Sequence, residues 1–505
     1  MTALQEIGIV AACLAACGAF ALRDPRGRAA AMLAALALTP VLLLGEVWGS
    51  DQLAALRDRP LVAVAAGVCG LLAAAALAAL LLRRPAALPL LAVAALPFRV
   101  PIDTGTGEAA NLLVPLYLVV AAGVLAYAWD RLRARPGEPA RIAPREAPPG
   151  AIELALLAAI VLYAAQAAYS SDFETALKNV VFFYVPFALL LRLLAGVAWS
   201  ARLAAGCLGL AVSLALVFAG IGFWEYATRK LLWNPKVVAS NQFESYFRVN
   251  SLFFDPNIYG RFLALVMLGL ATWLLWTRRS RDRLLATAAL AVLWGGLVLT
   301  FSQSSFGALL VGLAVLAAFR WGLRPVLAGG AVAVVAGLVV LLAAPGLVRL
   351  DRAAERALDN ATSGRVSLMR GGVEMFLDRP LTGFGSGSFA ERFREREDVS
   401  SEDAATASHT IPITVAAEQG VLGLGAYALV LWAAFGVLLR GARAAPARTF
   451  VVAALAALVF HTLLYAAFLE DPITWTLLGA GIGLSVSAAS GERPAARTRT
   501  GSSSR

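Results

Sequence analysis

The sequence predicts an all-α polytopic membrane protein of about 12–15 transmembrane helices. Three observations carry this. Of the 505 residues, 60% are hydrophobic and only 15% charged, with a mean hydropathy of +0.75. A water-soluble fold of this size carries more charge, because it cannot hide so much apolar side chain. The apolar residues also come in runs of roughly 18–22, the length that crosses about 30 Å of hydrocarbon as a helix. Finally, the runs lack a polar face. The stretch LLATAALAVLWGGLVLTF at 284–301 contains no charge, so it must be surrounded by protein or lipid on every side.

In chain order the spans are read at 5–22, 29–48, 60–82, 85–98, 110–129, 151–169, 179–198, 203–223, 257–277, 284–301, 306–319, 325–344, 411–439, 449–469 and 472–489. The first lacks a basic leader, and Ala-rich sequence continues after it, so it reads as a retained helix and not a cleaved signal. Strict alternation then places Arg23/Arg26/Arg28, Arg83/Arg84, Arg131/Arg133/Arg135, Arg202, Arg278/Arg279/Arg281/Arg283, Arg320/Arg324, Arg440/Arg443/Arg448 and Arg493/Arg497/Arg499 on one side. The positive-inside rule makes that side cytoplasmic and the N-terminus external. One missed or invented helix breaks the parity. The same distribution accounts for the net charge of +11 without nucleic acid, since no basic domain stands outside the spans.

These spans divide the chain into an N-terminal membrane segment (1–129), a Pro/Arg/Glu-rich cytoplasmic linker (130–150) and a second membrane segment (151–344) with an external loop at 224–256. A long, ordered external loop subdomain (345–410), C-terminal helices (411–489) and a disordered cytoplasmic tail (490–505) follow. The basic tail reads first as solvated, with contact to anionic membrane lipids as the other reading. No fixed-period repeat is visible. Cys13, Cys17, Cys69 and Cys207 all fall in apolar runs, as small packing residues do.

Chemistry-bearing residues gather at the external ends. The stretch YFRVNSLFFDPNIYGRF closes the first external loop. Its Asp-Pro-Asn is a helix-start signal in which Asn257 serves as a cap. Arg248 and Arg261 have no such explanation. Arg261 lies about one turn inside the membrane, where it must either snorkel to the interface or line a polar cavity. The long loop holds SGRVSLMRGGVEMFLDRPLTGFGSGSF, with Arg365 and Arg370 on a short helix ended by Pro380. Gly383, Gly385 and Gly387 then permit a tight turn whose amides can face an anion. His409 stands at the mouth of the next span, placed either to act as a base or to make an interfacial hydrogen bond. Glu418, two turns further in, needs a partner such as one of the arginines. His461, in mid-span, reads as an interhelical hydrogen-bonding residue. No acidic constellation is poised for a metal ion, and no cofactor motif stands out.

Four stretches, in order, resemble the O-antigen ligase/polymerase family of bacterial envelope glycan enzymes. They are Arg248 followed by FFDPN, TFSQSSFGALL at 300–310, the GR…GGVEMFLDRPLTGFGSGSF stretch, and HT…AEQGVLGLGAY entering the next span. The resemblance covers about 205–440. It implies a GT-C-like membrane glycosyltransferase or polymerase that moves a glycan from undecaprenyl diphosphate to an acceptor hydroxyl. That transfer is metal-independent and inverting, at the outer face of the cytoplasmic membrane. By carry-over, Arg248, Arg365 and Arg261 hold the diphosphate, His409 activates or positions the acceptor, and Asn257, Glu418 and Arg370 support them. Arginine suits a diphosphate through bidentate hydrogen bonds. The acceptor is a glycan or a lipid, in lipopolysaccharide or exopolysaccharide biosynthesis. The family's His is often followed by Asn; here Thr410 follows.

Two other classes stand beside the enzyme. A transporter of a small solute or glycan intermediate is expected to show broken helices and ionisable groups near the midplane. A non-catalytic envelope scaffold needs neither Arg248 nor His409.

Overall fold

The computed structural model describes residues 3–47, 59–103, 109–134, 149–232, 247–343, 365–397, 410–465 and 467–491. Most of the 130–150 linker, part of the 345–410 loop and nearly all of the 490–505 tail, as well as His409, lie outside them. Each of the fifteen apolar runs coincides with a helix. Helices α1 (Ala3–Ala21), α2 (Pro25–Val47), α3 (Pro60–Arg83) and α4 (Ala87–Ala95) come first. They precede α5 (Val114–Arg133), α6 (Ala151–Ala167), α7 (Phe173–Ala195) and α8 (Ala201–Thr228). Then follow α9 (Pro256–Trp276), α10 (Ser280–Thr300), α11 (Gln303–Trp321) and α12 (Leu323–Ala343). Two short helices, α13 (Arg365–Asp378) and α14 (Phe389–Glu397), lead to α15 (Ile411–Leu438), α16 (Pro446–Thr462) and α17 (Pro472–Gly491). Proline opens α3, α9, α16 and α17, where its missing N–H removes no helical bond.

Eight of these helices are long and apolar enough to cross a membrane, and five shorter apolar ones accompany them. The chain is a multi-pass membrane protein. Helix α4, at nine residues, is about 14 Å long and reaches only part of the way. Beyond it the backbone forms a small antiparallel hairpin, β1 (Val100–Asp103) with β2 (Ala109–Leu112), in which Val100 faces Leu112. The run expected to be helical from 110 thus begins as strand. The helix starts at Val114, where Pro115 sits in the first turn and fixes the entry.

Among the described residues two large apolar clusters form the interior. One gathers α1–α7 and α15; the other gathers α8, α9, α10 and α11. Helices α16 and α17 contribute to both and join them, and a small third cluster links α13, α14 and α15. Helix α9 is central: 78% of its apolar window is buried, against 11% for α3, whose flanks are left for lipid.

Two irregularities shape the end of the bundle opposite the arginine-rich connections, called here the distal end. Helix α7 carries a π-turn at Val180–Tyr184, just before Pro186, whose missing N–H favours such a defect. Helix α15 is broken at Gly420, which has φ +64°. The groups freed by the break are taken by the glycine-rich loop at 380–385. Phe384 and Gly385 donate to the carbonyls of Ala417 and Glu418 at 3.2 and 2.8 Å, and Val421 donates to the Pro380 carbonyl at 2.8 Å. Small side chains are obligatory here. A Cβ on Gly385, at φ +103°, would stand 2.4 Å from the Ser170 Cα, a contact only a backbone shift relieves. Gly385→Ala is therefore expected to lower the thermal midpoint of the detergent-purified protein markedly. Gly425→Ala, with open space around the glycine, should leave it unchanged or raised. Equal midpoints for the two variants refute the docked loop.

Candidate active site

The distal ends of α9, α10, α11, α16 and α17 converge on one buried polar cluster. Its geometry begins with local capping. Asp255 caps α9, its Oδ1 accepting from the Asn257 N–H at 2.6 Å. The cap is thus Asp255, not Asn257, because Pro256 occupies the first helical position and leaves the preceding residue as N-cap. The Asn257 side chain is free for other work, and its Oδ1 accepts from Arg248 Nη2 at 3.2 Å. Arg248 Nε donates to the carbonyl of Thr300, the last residue of α10, at 2.9 Å.

The Arg248 segment is held in place on both sides. The Val249 N–H donates to Leu299 O at 3.1 Å. Ser251, at φ +52°, donates its N–H to buried Glu225 at 2.8 Å and its hydroxyl to Phe218 O at 2.9 Å. Phe301, opposite, also sits at positive φ, +50°. Left-handed backbone in non-glycine residues costs about 1–3 kcal/mol and persists where surroundings over-determine it.

Arg261 does not snorkel. Only 2% of its side chain is exposed, and Nη2 lies 3.0 Å from Asp471 Oδ2, equally buried. Asp471 repeats the grammar of Asp255: it precedes Pro472 and caps α17 through the Ile473 N–H at 3.0 Å. Arg261 Nε and Nη1 are buried and have no hydrogen-bond partner among the described residues. The guanidinium lies 5.8 Å from the Tyr465 ring. Asp255, Arg261 and Arg99 are electrostatic neighbours of Tyr465. Its phenolic hydroxyl is a donor at neutral pH. Arg99, past the end of α4, completes the group, with Asp471, Tyr465, Arg261 and Tyr117 as electrostatic neighbours. Burial lowers its pKa, but from a starting value so high that it keeps its proton.

Beside the arginines, His461 Nε2 lies 3.1 Å from Ser304 Oγ and 3.4 Å from Ser305 Oγ, a bridge between α16 and α11. Ser305 Oγ also donates to the Asn257 carbonyl at 3.3 Å. The cluster thus holds three guanidiniums, the carboxylates of Asp255 and Asp471, an imidazole and several hydroxyls, with Glu225 behind the Arg248 segment. Its guanidiniums are the groups suited to an anion.

The other predicted site residues lie elsewhere. Arg365 opens α13. Arg370, on the same helix, is 81% exposed and pairs with Glu374 at 3.0 Å, a solvated contact. Among the described residues Glu418 is not paired with an arginine. Its carboxylate accepts from the Gly387 and Phe389 N–H groups at 2.9 and 3.2 Å, capping α14. The turn amides expected to face an anion are thereby satisfied within the chain. His409 lies outside the described residues; its neighbour Thr410 donates its hydroxyl to Leu463 O at 3.0 Å. Arg99, Tyr465, Asp471 and the Ser304/Ser305 pair were not singled out from sequence. Asp471-Pro472 carried a readable signal, the same helix-start dipeptide as Asp255-Pro256. Arg99 carried another, an arginine directly at the external end of an apolar run.

Residues 288–428 match the family model for O-antigen ligase. This stretch is similar to the O-antigen ligase family. It runs from α10 to the broken helix α15, narrower than the 205–440 the motifs suggested. No curated protein matches the chain. The matched stretch supplies Thr300, Ser304, Ser305, α13 and Glu418. Arg99, Arg248, Arg261, His461 and Asp471 are brought to its edge by helices outside it. The apolar helices make this a multi-pass membrane protein, and its residues 288–428 are similar to the O-antigen ligase family.

Proposed function

We propose that the distal cluster binds the diphosphate of an undecaprenyl-diphosphate-linked glycan and transfers that glycan to an acceptor hydroxyl, with inversion and without a metal. The distal end is then the outer face of the cytoplasmic membrane. The observation that carries this is Arg261: a guanidinium held by Asp471, with two further buried N–H groups lacking acceptors, flanked by Arg248 and Arg99. Buried donors left unmade cost about 1–3 kcal/mol each, a cost that phosphate oxygens remove.

In the transfer, the acceptor oxygen bonds to the anomeric carbon as the bond from that carbon to the phosphate oxygen breaks. The diphosphate leaves with the electron pair. The hydroxyl proton passes to a base, which the family resemblance assigns to His409. Charge builds on the leaving diphosphate, and preorganised guanidiniums lower the barrier where water is scarce. Arg365, at the start of α13, serves the same diphosphate.

The transporter reading looks for discontinuous helices. Helix α15 is discontinuous, but its freed backbone groups are bonded by the 380–385 loop and not left open to coordinate an ion, which favours the enzyme.

In a deletion strain, the wild-type gene is expected to restore a high-mass envelope glycan. His409→Ala or Arg365→Ala at matched expression should instead leave the lipid-linked donor accumulating. Full complementation by both variants removes the transfer assignment.

A further inference from the structure

A separate cleft opens on the other side of Asp471. It runs between α6, α7, α15 and the 468–470 segment, and its lining carries Glu418, Glu470, Gln419, Tyr163, Tyr184 and Tyr427. The rest of the lining is mostly apolar, with residues such as Val430 and Phe468. No lysine or arginine lines it. The polar lining is built. Tyr184, placed by the π-turn, donates to Glu470 Oε1 at 2.9 Å, and the Phe468 N–H donates to Glu470 Oε2 at 3.1 Å. Asn179 donates to the Tyr163 hydroxyl at 2.8 Å, and Gln419 donates to Ser386 Oγ at 3.0 Å.

Two carboxylates without a cation repel a diphosphate. They favour a neutral ligand rich in hydroxyl donors, because each carboxylate oxygen accepts more than one hydrogen bond. Aromatic rings beside such acceptors, in an otherwise mostly apolar lining, suit a saccharide carried on a hydrocarbon tail. Glu470 lines the cleft and the next residue, Asp471, holds Arg261, so the two sites share one stretch of backbone. The two sites abut.

We infer that this cleft seats the acceptor, an uncharged hydroxyl-rich sugar on a lipid, and that Glu470 accepts a hydrogen bond from one of its hydroxyls. This rests on the glycosyl-transfer reading above and adds the second substrate's place to it. It also gives the π-turn a purpose. Tyr184 is aimed at Glu470 and holds one of its oxygens, leaving the carboxylate oriented toward the cleft.

The test separates the two readings. Purified full-length protein in nanodiscs is first titrated with undecaprenyl diphosphate lacking its glycan; failure of the wild type to bind removes the transfer reading itself. Given binding, Glu470→Gln should keep that Kd within about twofold, which also shows the variant folded. Its transfer in the complemented strain should fall about ten- to a hundredfold, the worth of a hydrogen bond to a charged group. A photoreactive benzoylphenylalanine replacing Tyr427 should then crosslink in cells to a saccharide-bearing species without polyprenyl diphosphate. An adduct carrying polyprenyl diphosphate, or no saccharide adduct, overturns the acceptor seat. So does a Glu470→Gln variant that transfers normally.

Discussion

Arg248→Ala is expected to reduce glycan transfer by about two to three orders of magnitude, the loss typical of removing one preorganised donor to a developing oxyanion. The size follows from how Arg248 is held. Its Nε is fixed on Thr300 O and its Nη2 on Asn257 Oδ1, so one guanidinium is tied to the end of α10 and the start of α9 together. Nothing in that arrangement need reorganise when charge develops on the leaving diphosphate. Arg248→Lys retains the charge but not the planar fork, and one ammonium cannot reproduce both bonds in the same orientation. It should recover only a small part of the rate. The reading is made on the ratio of lipid-linked donor to transferred glycan, at matched protein levels in the membrane. A lysine variant as active as the wild type means that charge alone is used, and the argument from geometry is then wrong.

The fold was legible because lipid simplifies the rules. Every spanning segment must satisfy its own backbone and face an apolar medium, so hydropathy and arginine placement locate the helices almost without reference to tertiary contacts. The exceptions are informative. The β1–β2 hairpin lies in a connection too short and too mixed to leave a hydropathy signature. The break at Gly420 left no mark either, because GVLGLG in an apolar run reads as continuous helix. The loop that satisfies it is about 35 residues earlier in the chain.

The site was legible in part for the same reason. Arg248 and Arg261 stood out because an arginine near the membrane needs explaining, and the structure places both in one cluster. Their partners did not stand out. That Arg261 meets Asp471, 210 positions away, is a fact of how α9 and α17 both pack against α16, and no spacing rule contains it. Glu418 was read as needing a cation for its charge. Two backbone N–H groups of the neighbouring turn serve instead, an equally valid solution that composition cannot distinguish from an ion pair.

Breaking the Arg261–Asp471 pair should give the largest loss of stability in the molecule. Each partner is 98% buried and the two lie 3.0 Å apart, so removing one leaves the other charge uncompensated in a low-dielectric interior. Such losses are on the order of 3–5 kcal/mol. Asp471→Ala carries an added cost, because the same carboxylate caps α17 through the Ile473 N–H, and lost caps cost about 1 kcal/mol. Arg261→Ala should therefore be somewhat milder than Asp471→Ala. The double variant removes both charges and should be less destabilised than the sum of the singles, the difference being the coupling between them. Stability can be followed by thermal unfolding in detergent, and undecaprenyl diphosphate binding on the same samples. The two readouts should part company in the double variant, which regains stability but not affinity, since the guanidinium that meets the diphosphate is gone. If the double variant regains both, Arg261 is a structural residue whose charge serves only Asp471, and diphosphate binding must rest on Arg248 and Arg99. If the singles add without coupling, the pair contributes nothing to the fold, and the buried donors of Arg261 are left without the partner that holds them in place.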